Sequence, residues 1–206
     1  MSHKCVQKQP KVKSALCGVA YSLERGDFMP TIYLSPSLQE FNPYSGGGNE
    51  EYYMNLVADA MEPYLRASGI DFSRNDPDMT LSQAIADSNK GDYDLHLAIH
   101  SNASPPATAG QNTGAAIYYY PTSTNGQRFA NIIKENYQNV YSNKVQTIPT
   151  TSLAEVRRTK SPSALVEVAY HDNPTDAMWI RDNINNIARS LSQSVAEYLG
   201  VPFVEP

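Results

Sequence analysis

The chain has 206 residues, of which 41% are hydrophobic and 18% are charged, and its formal net charge is -5. This length suits one domain with a substantial core and is short for two domains. Proteins that hold nucleic acid neutralise its phosphates with a basic face, so we expect no nucleic-acid partner for this acidic chain.

The N-terminal part differs in composition from the rest of the chain. Residues 1–28 carry more lysine and arginine than acid, and we expect an extension or arm there, or a tether to an anionic surface, ahead of one domain at residues 29–206. The apolar run at 15–23 is no clear signal peptide, and we expect no membrane span because no run approaches roughly 18–20 apolar residues. Two cysteines, Cys5 and Cys17, are too few for a four-thiolate zinc cluster.

From Thr31 onward, short β-rich runs alternate with longer helix-patterned runs. This alternation predicts an α/β fold with a twisted, mostly parallel sheet flanked by helices on both faces. The first strand is expected at 31–35, and a helix should begin after the N-cap Asn49, because apolar residues recur at three- and four-residue steps until Gly69.

The later elements are predicted from the same patterns. In chain order they are a strand at 70–74, a helix at 81–88, a strand at 94–100 closed by a turn at Ser101 and Asn102, a strand at 115–120, a helix at 126–141, a Thr- and Pro-rich loop, a strand at 164–170, and a helical region at 175–199 with a break near Asp182.

Glu167 stands inside an otherwise apolar strand, where an ionised carboxylate is costly to bury. It is therefore paired, protonated or used in chemistry, and the pairing alternative is an ion pair with Arg157 or Arg158. His100 ends an apolar strand, where a metal ligand and a hydrogen-bonded core histidine both fit. His96 shares its face of the strand but lies roughly 13 Å away along it, too far to share one zinc ion.

Glu51 begins the predicted long helix, where an acidic residue is ordinarily explained by the helix dipole. Glu50 competes with it for any special role.

Three blocks, read in order, resemble the zinc-dependent N-acetylmuramoyl-L-alanine amidases of the amidase-3 type. They are Glu51–Asn55, His100–Asn102, and the segment Leu165–Tyr170 with the following Asn173–Asp176. The similarity extends from about Thr31 to Leu199 and includes an arginine-containing segment at Arg157–Thr159.

The resemblance implies a zinc site and names its residues. Glu51 and His100 would bind Zn²⁺, Glu167 would be the general base, and Asn102 and Arg157 would contact substrate. The sequence departs from the family at Leu38, which stands where the family has a zinc-binding histidine. A catalytic zinc normally has three protein ligands, so the third remains open between Gln39 and His171.

The resemblance further implies hydrolysis of the amide between N-acetylmuramic acid and L-alanine in bacterial peptidoglycan, by a zinc-activated water. One alternative is a catalytically impaired peptidoglycan-binding or regulatory domain of the same fold, and another is a zinc peptidase that acts on a different amide. We expect a monomer that acts at the bacterial cell wall or spore. A phage endolysin, a sporulation protein and a wall-remodelling enzyme all remain open.

Overall fold

The computed structural model describes residues 29–206, so the predicted N-terminal extension and both cysteines lie outside the described residues. The described part forms one α/β domain, as predicted. Its strands are β1 (Thr31–Pro36), β2 (Asp71–Arg74), β3 (Leu95–Asn102), β4 (Ala115–Tyr119), β5 (Val145–Pro149) and β6 (Ser163–Tyr170). Its α-helices are α1 (Glu50–Ala67), α2 (Leu81–Ser88), α3 (Thr124–Tyr137), α4 (Ala154–Arg158), α5 (Pro174–Asp182) and α6 (Ile184–Leu199). Within residues 29–206, no helix combines the length and apolar character that a membrane crossing requires.

The six strands form a single sheet in the order β2-β1-β3-β6-β4-β5. The first four are parallel to one another, whereas β4 runs antiparallel to β6 and parallel to β5. The predicted mostly parallel sheet is thereby confirmed. Because β1, β3 and β6 are neighbours that run in the same direction, their carboxyl ends meet at one edge of the sheet, where ligands of such sheets usually bind.

Side chains alternate between the two faces of the central strands. Leu97 and Ile99 of β3 belong to the large core that also contains the buried residues of α1, α3 and α6. His96, Ala98 and His100 point to the opposite face, where Val156 of α4 packs against Ala98. Helices therefore cover both faces, as predicted, and the histidines of β3 lie on the face with the smaller apolar cluster.

Helix α1 begins where the sequence predicts. The Asn49 side chain accepts a hydrogen bond from the backbone N–H of Tyr52 at 2.8 Å, which is the usual N-cap contact. The buried positions of the helix follow at three- and four-residue steps and are Glu50, Met54, Val57, Ala58, Met61 and Leu65. This spacing directs Glu50, an acid in phase with the apolar stripe, into the protein.

The structure corrects two of the predicted segments. Ser101 and Asn102 continue β3 instead of forming a turn, because Asn102 still pairs with Tyr170 of β6 after a register shift. The Thr- and Pro-rich segment predicted as a loop contains β5 and the short helix α4. The predicted break near Asp182 is confirmed, since α5 ends there and α6 begins two residues later.

The core packing predicts a clear contrast between two methionines. Met61 is fully buried in the large core, whereas Met178 is 54% exposed. Met61→Ala should lower the free energy of unfolding by about 2–5 kcal/mol, because it leaves a cavity among α1 and its neighbours. Met178→Ala should change it by less than about 0.5 kcal/mol. Urea denaturation of both variants measures the difference, and equal effects would contradict the packing described.

Candidate functional site

A cavity of about 440 Å³ opens at the carboxyl ends of β1, β3 and β6. Its lining is largely apolar and includes three titratable residues, His100, Glu155 and Glu167. The apolar and other lining residues are Ser35, Pro36, Leu38, Gln39, Phe41, Met79, Thr80, Leu81, Leu153, Ala154 and Leu165. No lysine or arginine is among the described residues that line it.

His100 is held between two carboxylates at the centre of this wall. Its Nδ1 lies 2.9 Å from Glu50 Oε1, and its Nε2 lies 3.1 Å from Glu155 Oε2. Burial disfavours a charged imidazole, but the hydrogen bonds and charges of Glu155 and Glu50 outweigh it and raise the pKa of His100 well above its usual value. The ring is therefore positively charged at neutral pH.

Glu50, and not Glu51, occupies the acidic position that the resemblance gives to the start of α1. Glu50 is 1% exposed and contacts His100, and Asn42 Nδ2 donates to its second oxygen at 2.7 Å. Glu51 lies one residue further round the helix, is partly exposed, and has no contact with His100 among the described hydrogen bonds. The physical reason is the helical phase, because Glu50 lies nearer than Glu51 to the centre of the buried stripe that contains Met54 and Met61.

Glu155 is the site residue that the sequence reasoning did not identify. It lies in α4, is 4% exposed, and its two oxygens accept from His100, from His96 Nε2 at 3.4 Å and from Ser35 Oγ at 2.5 Å. Burial acts to raise the pKa of Glu155, but these histidine contacts lower it far below its usual value. A single acidic residue in a segment predicted to be a loop does not by itself indicate a functional residue. The two histidines on one face of β3 were the available clue, because both need a partner on that face.

Glu167 lies beside His100, since the two residues are register partners on β6 and β3. Its Oε2 is buried, and no described residue donates a hydrogen bond to it. Burial raises the pKa of Glu167 to about 7, helped by the charges of Glu50 and Glu155 and opposed by His100. The alternative of an ion pair with Arg157 or Arg158 is wrong, because neither arginine forms a salt bridge with Glu167 in the described part of the chain.

The proposed substrate contacts are not at the cavity. Asn102 accepts from the backbone N–H of Ala103, and Arg157 lines a separate polar cavity with Tyr120 and Lys160. Neither residue is among those that line the cavity with Glu167. A contact of Asn102 or Arg157 with substrate therefore stays a prediction.

The two candidate third ligands, His171 and Gln39, both have other hydrogen-bond partners. His171 stacks on Tyr44, and its Nδ1 lies 2.9 Å from the carbonyl oxygen of Ser101 and 4.0 Å from Glu50. Gln39 is closer, with Nε2 3.3 Å from His100 Nδ1.

Gln39, however, presents its amide nitrogen and not its oxygen. Its Oε1 accepts from Asn42 Nδ2 at 3.0 Å, and the same Asn42 nitrogen donates to Glu50. A carboxylate only accepts hydrogen bonds, so the Asn42 atom that faces Glu50 must be the amide nitrogen. The same nitrogen faces Gln39, so the Gln39 atom nearest to it must be the amide oxygen.

The residues present do not fit the three-ligand zinc site of the family. Glu50 and His100 would supply two ligands, Leu38 stands at the third position, and the amide oxygen of Gln39 is turned away from His100. Within residues 29–206, no three His, Cys, Asp or Glu side chains are grouped to hold a metal ion.

The fold is that of known amidase catalytic domains. The structure superimposes with a TM-score of 0.70 on the catalytic domain of CwlV, an N-acetylmuramoyl-L-alanine amidase from Bacillus (Paenibacillus) polymyxa var. colistinus, at 17% identity over 84% of this chain and 100% of that one. It matches the catalytic domain of the CD27L endolysin targeting Clostridia difficile with a TM-score of 0.66, at 21% identity over 82% of this chain and 97% of that one.

The sequence comparisons show the family. Residues 40–197 match the N-acetylmuramoyl-L-alanine amidase family of the amidase-3 type, and the chain belongs to this family. It is 25% identical to the N-acetylmuramoyl-L-alanine amidase LytC of Bacillus subtilis (strain 168) over 189 residues. That similarity covers 87% of this chain and 38% of LytC, so the chain spans less than half the length of this relative.

The different contributions of Glu50 and Glu51 to stability can be measured directly. Glu50→Gln should lower the free energy of unfolding at pH 7 by about 3–5 kcal/mol, because it leaves a buried charge on His100 without one of its partners. Glu51→Gln is the matched control and should change it by less than about 0.5 kcal/mol.

The stabilising contribution of Glu50 should be larger at neutral pH than at acidic pH. Burial opposes ionisation of Glu50, yet its contacts with His100 lower its pKa below the ordinary 4.5. The contribution of Glu50 is therefore present above pH 4.5 and is lost as the pH falls through the lowered folded-state value. Urea denaturation at pH 7 and below pH 4 measures this, and a larger effect of Glu51→Gln would contradict the assignment.

Proposed function

We propose that this chain hydrolyses the amide bond between N-acetylmuramic acid and L-alanine in bacterial peptidoglycan, with Glu167 as the general base. The observation that carries the proposal is the buried Oε2 of Glu167, to which no described residue donates, at a cavity shared with His100. Membership of the amidase family supports the choice of bond. The protein would then act at the bacterial cell wall or spore, where this substrate is found.

Glu167 has the properties that this role requires. A base with a pKa near the working pH can take a proton from water and return it, and the pKa of Glu167 is raised to about 7. Glu167 would take a proton from the attacking water as oxygen bonds to the carbonyl carbon. It would then give that proton to the departing amine of L-alanine as the carbon–nitrogen bond breaks, so that one carboxyl group serves both transfers.

The attack places negative charge on the former carbonyl oxygen, which needs a positive partner. His100 does not supply this partner, because both of its ring nitrogens already face carboxylates. Zinc fills this role in the family, but because the ligand set does not fit a three-ligand site, we assign it no step. Chelation is therefore part of the test.

The proposal is tested by mass spectrometry of purified peptidoglycan incubated with the protein. Stem peptides that begin with a free L-alanine amine should appear. Glu167→Gln should reduce their rate of release by about 10²–10⁴-fold, because it removes the proton acceptor. The exposed Glu135, on α3, offers a matched control, and Glu135→Gln should leave the rate unchanged.

Two further arms define the outcome. The rate should fall as the pH drops below about 7, since protonated Glu167 cannot accept a proton. Samples with added zinc and with a chelator decide whether a metal contributes. Wall fragments that bind without being cleaved in every sample would contradict the proposal and favour a binding or regulatory domain, for which Leu38 at the family's ligand position is the motivating feature.

A further inference from the structure

The carboxylate of Glu155 has three side-chain hydrogen-bond partners. Ser35 and His96 donate to Oε1, and His100 donates to Oε2. Replacing a buried charged network by apolar side chains is often neutral or stabilising, so the network is weak evidence for a role in stability. Its position on the wall of the cavity that contains Glu167 points instead to the site.

The short helix α4 holds Glu155 in place. Val156, the next residue, packs against Ala98 and Leu165, and Thr159 Oγ1 donates to the backbone oxygen of Glu155. The helix is thus fixed to β3 and β6, the two strands that carry His100 and Glu167. The carboxylate of Glu155 therefore has a defined position relative to both residues.

The contacts of Glu155 dictate the hydrogen-bonding state of two imidazoles. An ionised carboxylate can only accept, so both His96 and His100 must direct an Nε2–H at it. His96 then receives support at its other nitrogen, because Ser88 Oγ lies 2.9 Å from Nδ1. His100 in turn is left with Nδ1 toward Glu50.

We propose that Glu155 is a positioning residue for the amide-hydrolysing site: by accepting the Nε2–H of His100 it fixes the orientation of this ring beside Glu167. This inference rests on the proposed function. It assigns a role to a residue that the resemblance does not include, in the same cavity where Leu38 interrupts the family's ligand pattern. Outer partners that orient a metal-binding imidazole are typically worth 10–100-fold in activity or affinity, and we expect an effect of about this size here.

The variant that tests it is Glu155→Gln. The amide oxygen can accept from one imidazole, but the amide NH₂ group would face the N–H of the other, so the paired arrangement of His96 and His100 is lost. We expect kcat on a soluble muramoyl-peptide to fall 10–100-fold while KM changes less than threefold. Glu155→Asp, which keeps the charge, should recover part of the loss.

Asp176→Asn is the matched control for a general structural effect. Asp176 is 1% exposed and accepts from Thr113, Tyr141 and the backbone N–H of Tyr170, but it does not line the cavity. Its substitution should lower the unfolding temperature and leave kcat within threefold of the parent. An equal loss of kcat in Asp176→Asn and Glu155→Gln, or an unchanged kcat in folded Glu155→Gln, would overturn the proposal.

A second measurement needs neither catalysis nor a folded variant of Glu155. Two-bond ¹H–¹⁵N spectra of the parent protein, with ¹⁵N-labelled histidine and assignments from His100→Gln, report which ring nitrogens carry protons. A proton on Nε2 of His100 is expected, and an unprotonated Nε2 would overturn the proposal. If the parent fails to cleave peptidoglycan but shows this proton, the hydrolytic function fails while the positioning contact stands.

Discussion

The site depends on one interaction, the pair of hydrogen bonds that His100 makes with two buried carboxylates, one at each ring nitrogen. Glu50 meets Nδ1 of His100 and Glu155 meets Nε2, at 2.9 and 3.1 Å. Either carboxylate alone would be costly to bury, and the charged ring offsets part of that cost for both. Each acid comes from a different helix, so α1 and α4 must both dock correctly on the sheet before the ring of His100 is fixed. The geometry of the candidate site therefore depends on how both helices pack on the sheet.

The same interaction accounts for the state of Glu167. Its carboxylate lies beside the ring of His100, but the two nitrogens of that ring are already engaged by Glu50 and Glu155. Glu167 is therefore left with a buried oxygen to which no described residue donates, and burial together with the two neighbouring acids raises its pKa to about 7. A carboxyl group in this condition is suited to exchange protons with water and amine near neutral pH. The raised pKa of Glu167 thus depends on its burial and on the nearby charges of Glu50 and Glu155.

Much of the fold could be predicted from the sequence because its signals are local. The N-cap Asn49, the apolar spacing of α1 and the break near Asp182 follow from side-chain chemistry within a few residues. The elements that were missed, β5 and α4, are short and are held mainly by neighbours distant in sequence. The choice of Glu51 over Glu50 followed the family pattern, although helical phase with Met54 already favoured Glu50. Glu155 could not be found from periodicity, since its role depends on His96 and His100, which lie more than fifty residues earlier.

The central claim is that the pKa of Glu167 is raised to about 7 by burial of its carboxyl group, with a further contribution from the charges of Glu50 and Glu155. A titration of ¹³C-labelled glutamate side chains by NMR, with Glu167 assigned from the Glu167→Gln spectrum, tests it most directly. The account predicts a midpoint near 7 for Glu167 and a lower midpoint in Glu50→Gln, because the charge of Glu50 contributes to the increase. A midpoint near the ordinary 4.5 in the parent protein would contradict the account, since Glu167 would then be an ordinary ionised carboxylate with no special capacity to exchange protons at neutral pH.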